Sequence, residues 1–232
     1  MNEILLKNST KVVLIFFIFS VYSFSKDLNV GIFSGTFDPP HGGHVAMIKE
    51  FKKKFALDSF YIITNVTSEH KSNVTAYRHR KRMAQIAFGS IEGAIVGDKK
   101  IEAAFLVGDM DEVVKVIRSV HPHAQLYQVM GDDSLARLLK VMGTKKKTLD
   151  NINIVVNKRD GGVVIPKSIN GANVIEFDSQ TPADSSSRIR KELLIDPKMN
   201  SNLDEKVYEY IKSHKLYFKS EIIPACLKRI LL

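Results

Sequence analysis

The sequence predicts an α/β fold, a mainly parallel sheet with helices on both faces. Two observations carry this expectation. Short β-rich apolar runs alternate along the chain with segments of helical period, and strands alternating with helices imply βαβ crossovers. The segments richest in reactive side chains, residues 35–44, 65–71, 131–134, 158–162 and 181–190, all follow predicted strands. Ligands bind beyond the carboxyl ends of the strands in such sheets, so one shared cleft is expected. A chain of 232 residues, 44% hydrophobic and 25% charged, suffices for one domain with a substantial core, expected over residues 26–232.

Residues 1–25 stand apart. Lys7 and Lys11 precede an uncharged apolar run at 12–19, and Ser23 and Ser25 follow at the spacing of a signal-peptidase site. The pattern reads as an export signal cleaved after Ser25. An uncleaved membrane anchor, a misplaced start and a buried helix are the other readings, since the run is short for a span of about 20 residues.

Leu28, Val30 and Ile32 mark the end of a first strand. Val45, Ile48 and Phe51, at helical spacing, predict a helix over 45–55. The β-rich run 60–63 is the second strand, and the polar stretch 65–74 a loop. Residues 77–88 form a basic helix with Tyr77, Ala84, Ala87 and Phe88 aligned. A third strand falls within 93–107. Val113, Val116, Ile117 and Val120 predict a helix over 111–120. Strands at 126–130, 152–156 and 174–177 and helices at 135–142, 185–194 and 203–214 complete the pattern, the last with Val207, Tyr210 and Ile211 facing inward.

The formal net charge is +9, of which residues 1–25 contribute +1. A basic surface suits phosphorylated substrates, nucleic acid or anionic membrane alike. The runs at 52–54 and 145–147 read as solvated faces, and no RNA-recognition signature accompanies them. Cys226 is the one cysteine, so no intrachain disulfide forms. Clusters of Cys and His with metal-ligand spacing are absent from the sequence.

The stretch 31–44 reads G-I-F-S-G-T-F-D-P-P-H-G-G-H. Gly31 and Gly35 are expected to let the backbone turn sharply and approach a bulky ligand. Pro39 and Pro40 fix an extended bend. His41 and His44 then fall at a helix start, where free N–H groups and the helix dipole favour an anion. Glycines, two imidazoles and a helix N-terminus together point to a phosphate site. A second candidate is Ser185-Ser186-Ser187-Arg188-Ile189-Arg190, where serine caps a helix start.

The first stretch resembles the signature G-x-F-x-G-x-F-D-P-x-H-x-G-H of the nucleotidylyltransferase superfamily, which shares H-x-G-H with class I aminoacyl-tRNA synthetases. Within it the likeness is closest to bacterial nicotinate-mononucleotide adenylyltransferases and runs over residues 28–218. The resemblance implies a Rossmann-like nucleotidylyltransferase fold. It also implies transfer of AMP from ATP to nicotinate mononucleotide, with release of pyrophosphate and with Mg²⁺ bound mainly through the ATP phosphates. His44 would stabilise charge at the α-phosphate and His41 would support it. Phe33, Ser34 and Gly35 would line the nucleotide pocket. Residues 185–190 resemble the family's S-S-T-x-I-R, so Ser186, Ser187 and Arg190 would hold the departing pyrophosphate. Lys71 matches the lysine of P-P-H-K, although Ser68 and Glu69 replace the prolines. Gly131 and Asp133 match a G-x-D on the adenosine side, and Arg159 an arginine after the next strand. The C-terminal V-x-x-Y-I…L-Y, here Val207, Tyr210, Ile211, Leu216 and Tyr217, reads as core packing.

The acceptor half departs from the family. Residues 107–112 replace its S-Y-T-x-D-T, and its tryptophan is missing from a chain without any. Transfer to nicotinamide mononucleotide or phosphopantetheine, and a nucleotide-binding protein without catalysis, are therefore the alternatives. ATP chemistry implies the cytoplasm, whereas the N-terminus implies export, or membrane contact through residues 12–25. The expected partners are ATP and a mononucleotide, without nucleic acid; an oligomer is compatible with the sequence.

Overall fold

The computed structural model describes residues 27–66, 73–106, 110–142, 152–158, 164–179, 185–196 and 202–218. The expected leader over residues 1–25, Lys71 and Arg159 lie outside them. Among the described residues no helix is long and apolar enough to cross a membrane.

The strands are β1 (Asn29–Gly35), β2 (Ser59–Thr64), β3 (Ala94–Val96), β4 (Gln125–Gly131), β5 (Ile152–Asn157), β6 (Ser168–Ile169) and β7 (Ala172–Phe177). They form one sheet in the order β3-β2-β1-β4-β5-β7-β6, parallel except for β6 against β7. The helices are α1 (Gly42–Lys54), α2 (Tyr77–Phe88), α3 (Lys99–Leu106), α4 (Met110–Val120), α5 (Asp132–Met142), α6 (Ser186–Ile195) and α7 (Glu205–Ser213). This is the α/β parallel-sheet fold that the sequence predicts.

Strand alternation divides the core into two layers, because successive side chains point to opposite faces. Phe33, Phe60, Ile62, Val129 and Val155 join one cluster with residues of α1, α2, α6 and α7. Ile32, Ile63, Leu126, Ile154 and Val156 join the other with residues of α3, α4 and α5. Within the first, Phe51 of α1 meets Phe55, Phe60 and Phe177 at centroid separations of 4.7, 5.6 and 5.9 Å. Such tilted and edge contacts are the favoured aromatic geometry.

Several local expectations change. Helix α3 fills the second half of the stretch that was assigned only a third strand. Its signal is Asp98, whose Oδ1 accepts the Lys100 and Ile101 amides at 2.9 and 3.0 Å and so caps the start. Helix α5 follows β4 directly at Asp132 rather than at Leu135. Gly31 is not at a turn. It lies inside β1, where a Cβ would come within 2.7 Å of the Phe60 ring and 2.8 Å of Leu57. Its missing side chain makes room for the core, not for a ligand. At Gly35 a Cβ would come within 2.7 Å of the Phe37 ring.

Arg80 of α2 is only 2% exposed. Its guanidinium donates to the carbonyls of Thr75 (2.7 Å), Thr36 (2.8 Å), Asn65 (2.7 Å) and Val66 (3.1 Å). One cation thus ties the loop after β1, the end of β2 and the approach to α2. Burial lowers the pKa of Arg80, and the nearby Asp38 carboxylate opposes that shift. A five-donor fork suits this task in a way that an ammonium does not.

Helix α7 packs on α2 partly through polar rings. His79 Nδ1 lies 2.9 Å from the Tyr210 hydroxyl, and the His214 ring stacks on Tyr210 at 4.0 Å and meets His79 at 5.3 Å. Burial, then the charges of Arg78 and His214, lower the pKa of His79.

Replacing Arg80 with Met leaves four carbonyls without their donor and removes a cation near Asp38. A loss of about 3 kcal/mol or more is expected, measured by urea unfolding. A loss below about 1 kcal/mol, the level of an ordinary exposed pair, would refute the clamp. For His79 the unfolded chain takes the proton first, because the folded pKa lies below the unfolded value of 6.5. Stability is then complete above that value and falls as pH drops through it. The urea midpoint of the parent should decline more steeply from neutral to mildly acidic pH than that of His79→Gln; parallel declines would contradict this.

Candidate active site

The sheet opens where its order reverses. Strand β1 pairs with β4 from Asn29↔Gln125 only as far as Phe33↔Val129. Beyond that register Ser34 and Gly35 pair with β2, at Ile63 and Thr64, while Met130 and Gly131 pair with β5. The carboxyl ends of β1 and β4 therefore part, which is the geometry of a ligand crevice at a topological switch point.

The loop from β1 carries the two histidines to this mouth. His41 caps α1 in an extended conformation (φ −143°, ψ 172°), and His44 lies in the first turn. Their rings face at 3.8 Å between centroids. The His41 N–H donates to His44 Nδ1 at 3.3 Å. That bond assigns the proton of neutral His44 to Nε2, making Nε2–H the donor. Phe37 sets the ring from the side, edge-on at 5.4 Å. The space left by Gly35 admits that phenyl ring. The first turn of α1 contains no acidic residue, so no carboxylate there opposes an anion at the helix N-terminus.

Helix α6 is tied across this loop. Ser185 caps it by accepting the Arg188 amide at 3.1 Å. The Ser186 hydroxyl donates to the Pro39 carbonyl at 2.8 Å. Arg190 Nη1 donates to the Asp38 carbonyl at 2.7 Å, and Nη2 to Ser187 Oγ at 3.3 Å. The two motifs, separated by some 150 residues of chain, thus form one unit. With the Ser186 proton engaged, an anion at this helix start would meet backbone amides, Ser187 and the remaining N–H groups of Arg190.

The expected adenosine-side pair lies where β4 passes into α5. Gly131 ends β4 with Asp133 Oδ1 packed against it, 2.7 Å from where a Cβ would stand. Asp133 is held by Arg137 at 3.1 Å, and that guanidinium also reaches Ser134 Oγ at 2.7 Å. The structure therefore gathers His41, His44, Ser34, Gly35, Ser186, Ser187 and Arg190 at one loop, with Gly131 at the end of adjoining β4 and Asp133 in the first turn of α5. The Phe33 side chain belongs to the core and only its backbone reaches the mouth. At the end of β2, Thr64 Oγ1 and Asn65 Oδ1 are buried without a hydrogen-bond partner among the described residues.

Three residues were not singled out for the site by the sequence: Asp38, Arg80 and Tyr217. The Tyr217 hydroxyl donates to Asp38 Oδ1 at 2.6 Å. Burial, then the Asp38 charge and this bond, raise the pKa of Tyr217 above that of an ordinary phenol, so it stays a donor. Tyr217 packs against the core as expected, yet its hydroxyl serves the loop. The one signal for Arg80 is an arginine on the apolar side of α2, beside Ala84 and Phe88.

Comparison with known proteins follows these features. The family model described as cytidylyltransferase-like matches residues 32–192. The nicotinate-nucleotide adenylyltransferase of Bacillus subtilis is 29% identical over 191 residues, covering 81% of this chain and 97% of that protein. The Plasmodium falciparum nicotinic acid mononucleotide adenylyltransferase complexed with NaAD superposes with a TM-score of 0.61 at 18% identity, covering 82% of this chain and 97% of that one. Its complex with APC gives a TM-score of 0.60. These structures share the fold. With a match that spans both the paired-histidine loop and Arg190, the chain belongs to the cytidylyltransferase-like family of nucleotidyltransferases.

Proposed function

We propose that this protein transfers AMP from ATP to nicotinate mononucleotide. The observation that carries the reading is the paired-histidine loop at the parting of β1 and β4, with Arg190 locked onto it. The names of the relatives supply the acceptor: the Bacillus subtilis protein is a nicotinate-nucleotide adenylyltransferase, and the Plasmodium structure holds NaAD.

In this reaction an oxygen of the acceptor's phosphate attacks the α-phosphorus of ATP. The bond to the β-phosphate bridging oxygen breaks, and pyrophosphate leaves with the electron pair. The attacking oxygen is already ionised, so no general base is required. Catalysis is alignment and stabilisation of spread negative charge. His44 Nε2–H donates to the α-phosphate, and His41 holds that imidazole in register through its backbone. The amides at the start of α6, Ser187 and Arg190 take the leaving pyrophosphate. Gly131 and Asp133 bound the adenosine side; Lys71 and Arg159 would add cations to the phosphates.

Among the described residues no group of three or more His, Cys, Asp or Glu side chains could hold a metal. The Asp38 carboxylate is engaged by protein donors. These residues do not build a Mg²⁺ cage, and such a cation would enter as part of magnesium–ATP, coordinated by phosphates and water.

One observation favours a second reading, transfer to nicotinamide mononucleotide or phosphopantetheine. Met110 to Glu112, in the acceptor half, start helix α4 with two acidic residues in its first turn.

The test is pyrophosphate release from ATP and Mg²⁺ by residues 26–232 and by the full chain, with each acceptor offered separately. Release with nicotinate mononucleotide is expected. Release only with another acceptor favours the second reading, and ATP binding without turnover favours a binding protein. His44→Ala should lower kcat by about 100-fold, the loss of about 2.7 kcal/mol of charge stabilisation, with its fold confirmed by thermal melting. A rate within about threefold of the parent would remove His44 from the mechanism.

A further inference from the structure

We propose that Asp38 and Tyr217 are positioning residues for Arg190: the phenol fixes the Asp38 carboxylate so that it steadies the arginine on one edge without capturing it. This rests on the reading that Arg190 meets the pyrophosphate end of ATP.

Asp38 is 4% exposed. Its Oδ1 accepts the Tyr217 hydroxyl at 2.6 Å, and its Oδ2 accepts the Thr75 amide at 3.3 Å. Oδ2 lies 3.8 Å from Arg190 Nη1, which bonds the Asp38 carbonyl at 2.7 Å. The guanidinium therefore touches this residue through one nitrogen only. A free carboxylate and a guanidinium prefer the two-bond fork, which is stronger and planar. With Oδ1 occupied by the phenol that fork does not form, and further Arg190 N–H groups are kept for an anion. Without the hydroxyl the carboxylate can rotate, pair with Arg190 through both oxygens and compete with phosphate for it.

A second observation concerns the chain that brings the hydroxyl there. Tyr217 has φ +65°, in the left-handed region, just after Lys215 at +52°. A bulky residue adopts that conformation at a cost, and such strain persists where the surroundings impose it. The Leu216 amide closes the preceding turn on the Ile211 carbonyl at 2.9 Å, so the chain leaves α7 with Tyr217 directed back to Asp38. The contact joins residues 179 apart in sequence, so the C-terminal segment reports directly to the catalytic loop.

Tyr217→Phe keeps the ring and removes only the hydroxyl. The measurements are the Kd of inorganic pyrophosphate by calorimetry and KM for ATP and for the acceptor. Pyrophosphate Kd and ATP KM should rise together by about fivefold, the size of one ordinary net hydrogen bond, with acceptor KM unchanged. In an Arg190→Ala background the same substitution should add nothing. Leu216→Ala, which loosens the same segment without touching Asp38, should lower thermal stability and leave ATP KM unchanged. A Tyr217→Phe protein within about twofold of the parent in both constants overturns the proposal. So does an undiminished effect in the Arg190→Ala background, or a Leu216→Ala effect as large on ATP KM. If Arg190→Ala alone leaves pyrophosphate binding unchanged, the assignment of Arg190 fails and the proposal falls with it. A weakened Arg190→Ala with an unaffected Tyr217→Phe overturns only the proposal.

Discussion

A carboxylate taken out of water must be met by donors and cations, or its burial costs several kcal/mol. Asp38 poses that requirement between the end of β1 and two prolines. The answer comes from three directions: the Thr75 amide, the Tyr217 hydroxyl and the Arg190 guanidinium. Arg80 adds a buried positive charge nearby, which the carboxylate in turn stabilises. None of these groups is close to Asp38 in sequence. The loop that holds the histidines is thus defined only when α2, α6 and the segment after α7 have all docked.

Within that frame the histidines need little further support. His44 receives its tautomer from the backbone of His41 and its tilt from Phe37, which fits only because position 35 lacks a side chain. The helix start that follows has no carboxylate of its own, while Lys52, Lys53 and Lys54 occupy the last turn of α1, where they complement the dipole. Local choices at both ends of one helix therefore agree with an anion at its N-terminus.

Much of this was legible in sequence, because periodicity and motif spacing are local properties. The helix 77–88 was placed to the residue, and Gly131 and the paired histidines fell at strand and helix ends as expected. What escaped was written in contacts across the chain. The roles of Arg80 and Tyr217 depend on partners 44 and 179 residues away, and no window of sequence contains both ends. Gly31 misled for a related reason: a glycine inside a motif looks like ligand space, and only the packing of Phe60 and Leu57 reveals it as core space. Helix α3 could have been found, since Asp98 is a good capping residue ahead of an apolar period; the weak third strand before it masked the start.

The two sides of the crevice are held by different means, and α2 serves both. The phosphate side depends on bonds between distant segments, each of which has to be kept for the loop to hold its shape. The side beyond β2 and β3 depends on fewer partners: the Asp98 cap of α3 and the pairing of Lys81 in α2 with Glu102 in α3. A substitution on the first side disturbs every element that meets Asp38. One on the second reaches α2 through Lys81, next to Arg80, whose guanidinium also bonds the Asn65 carbonyl. The two sides therefore meet at α2, where Arg80 serves the histidine loop and Lys81 serves α3.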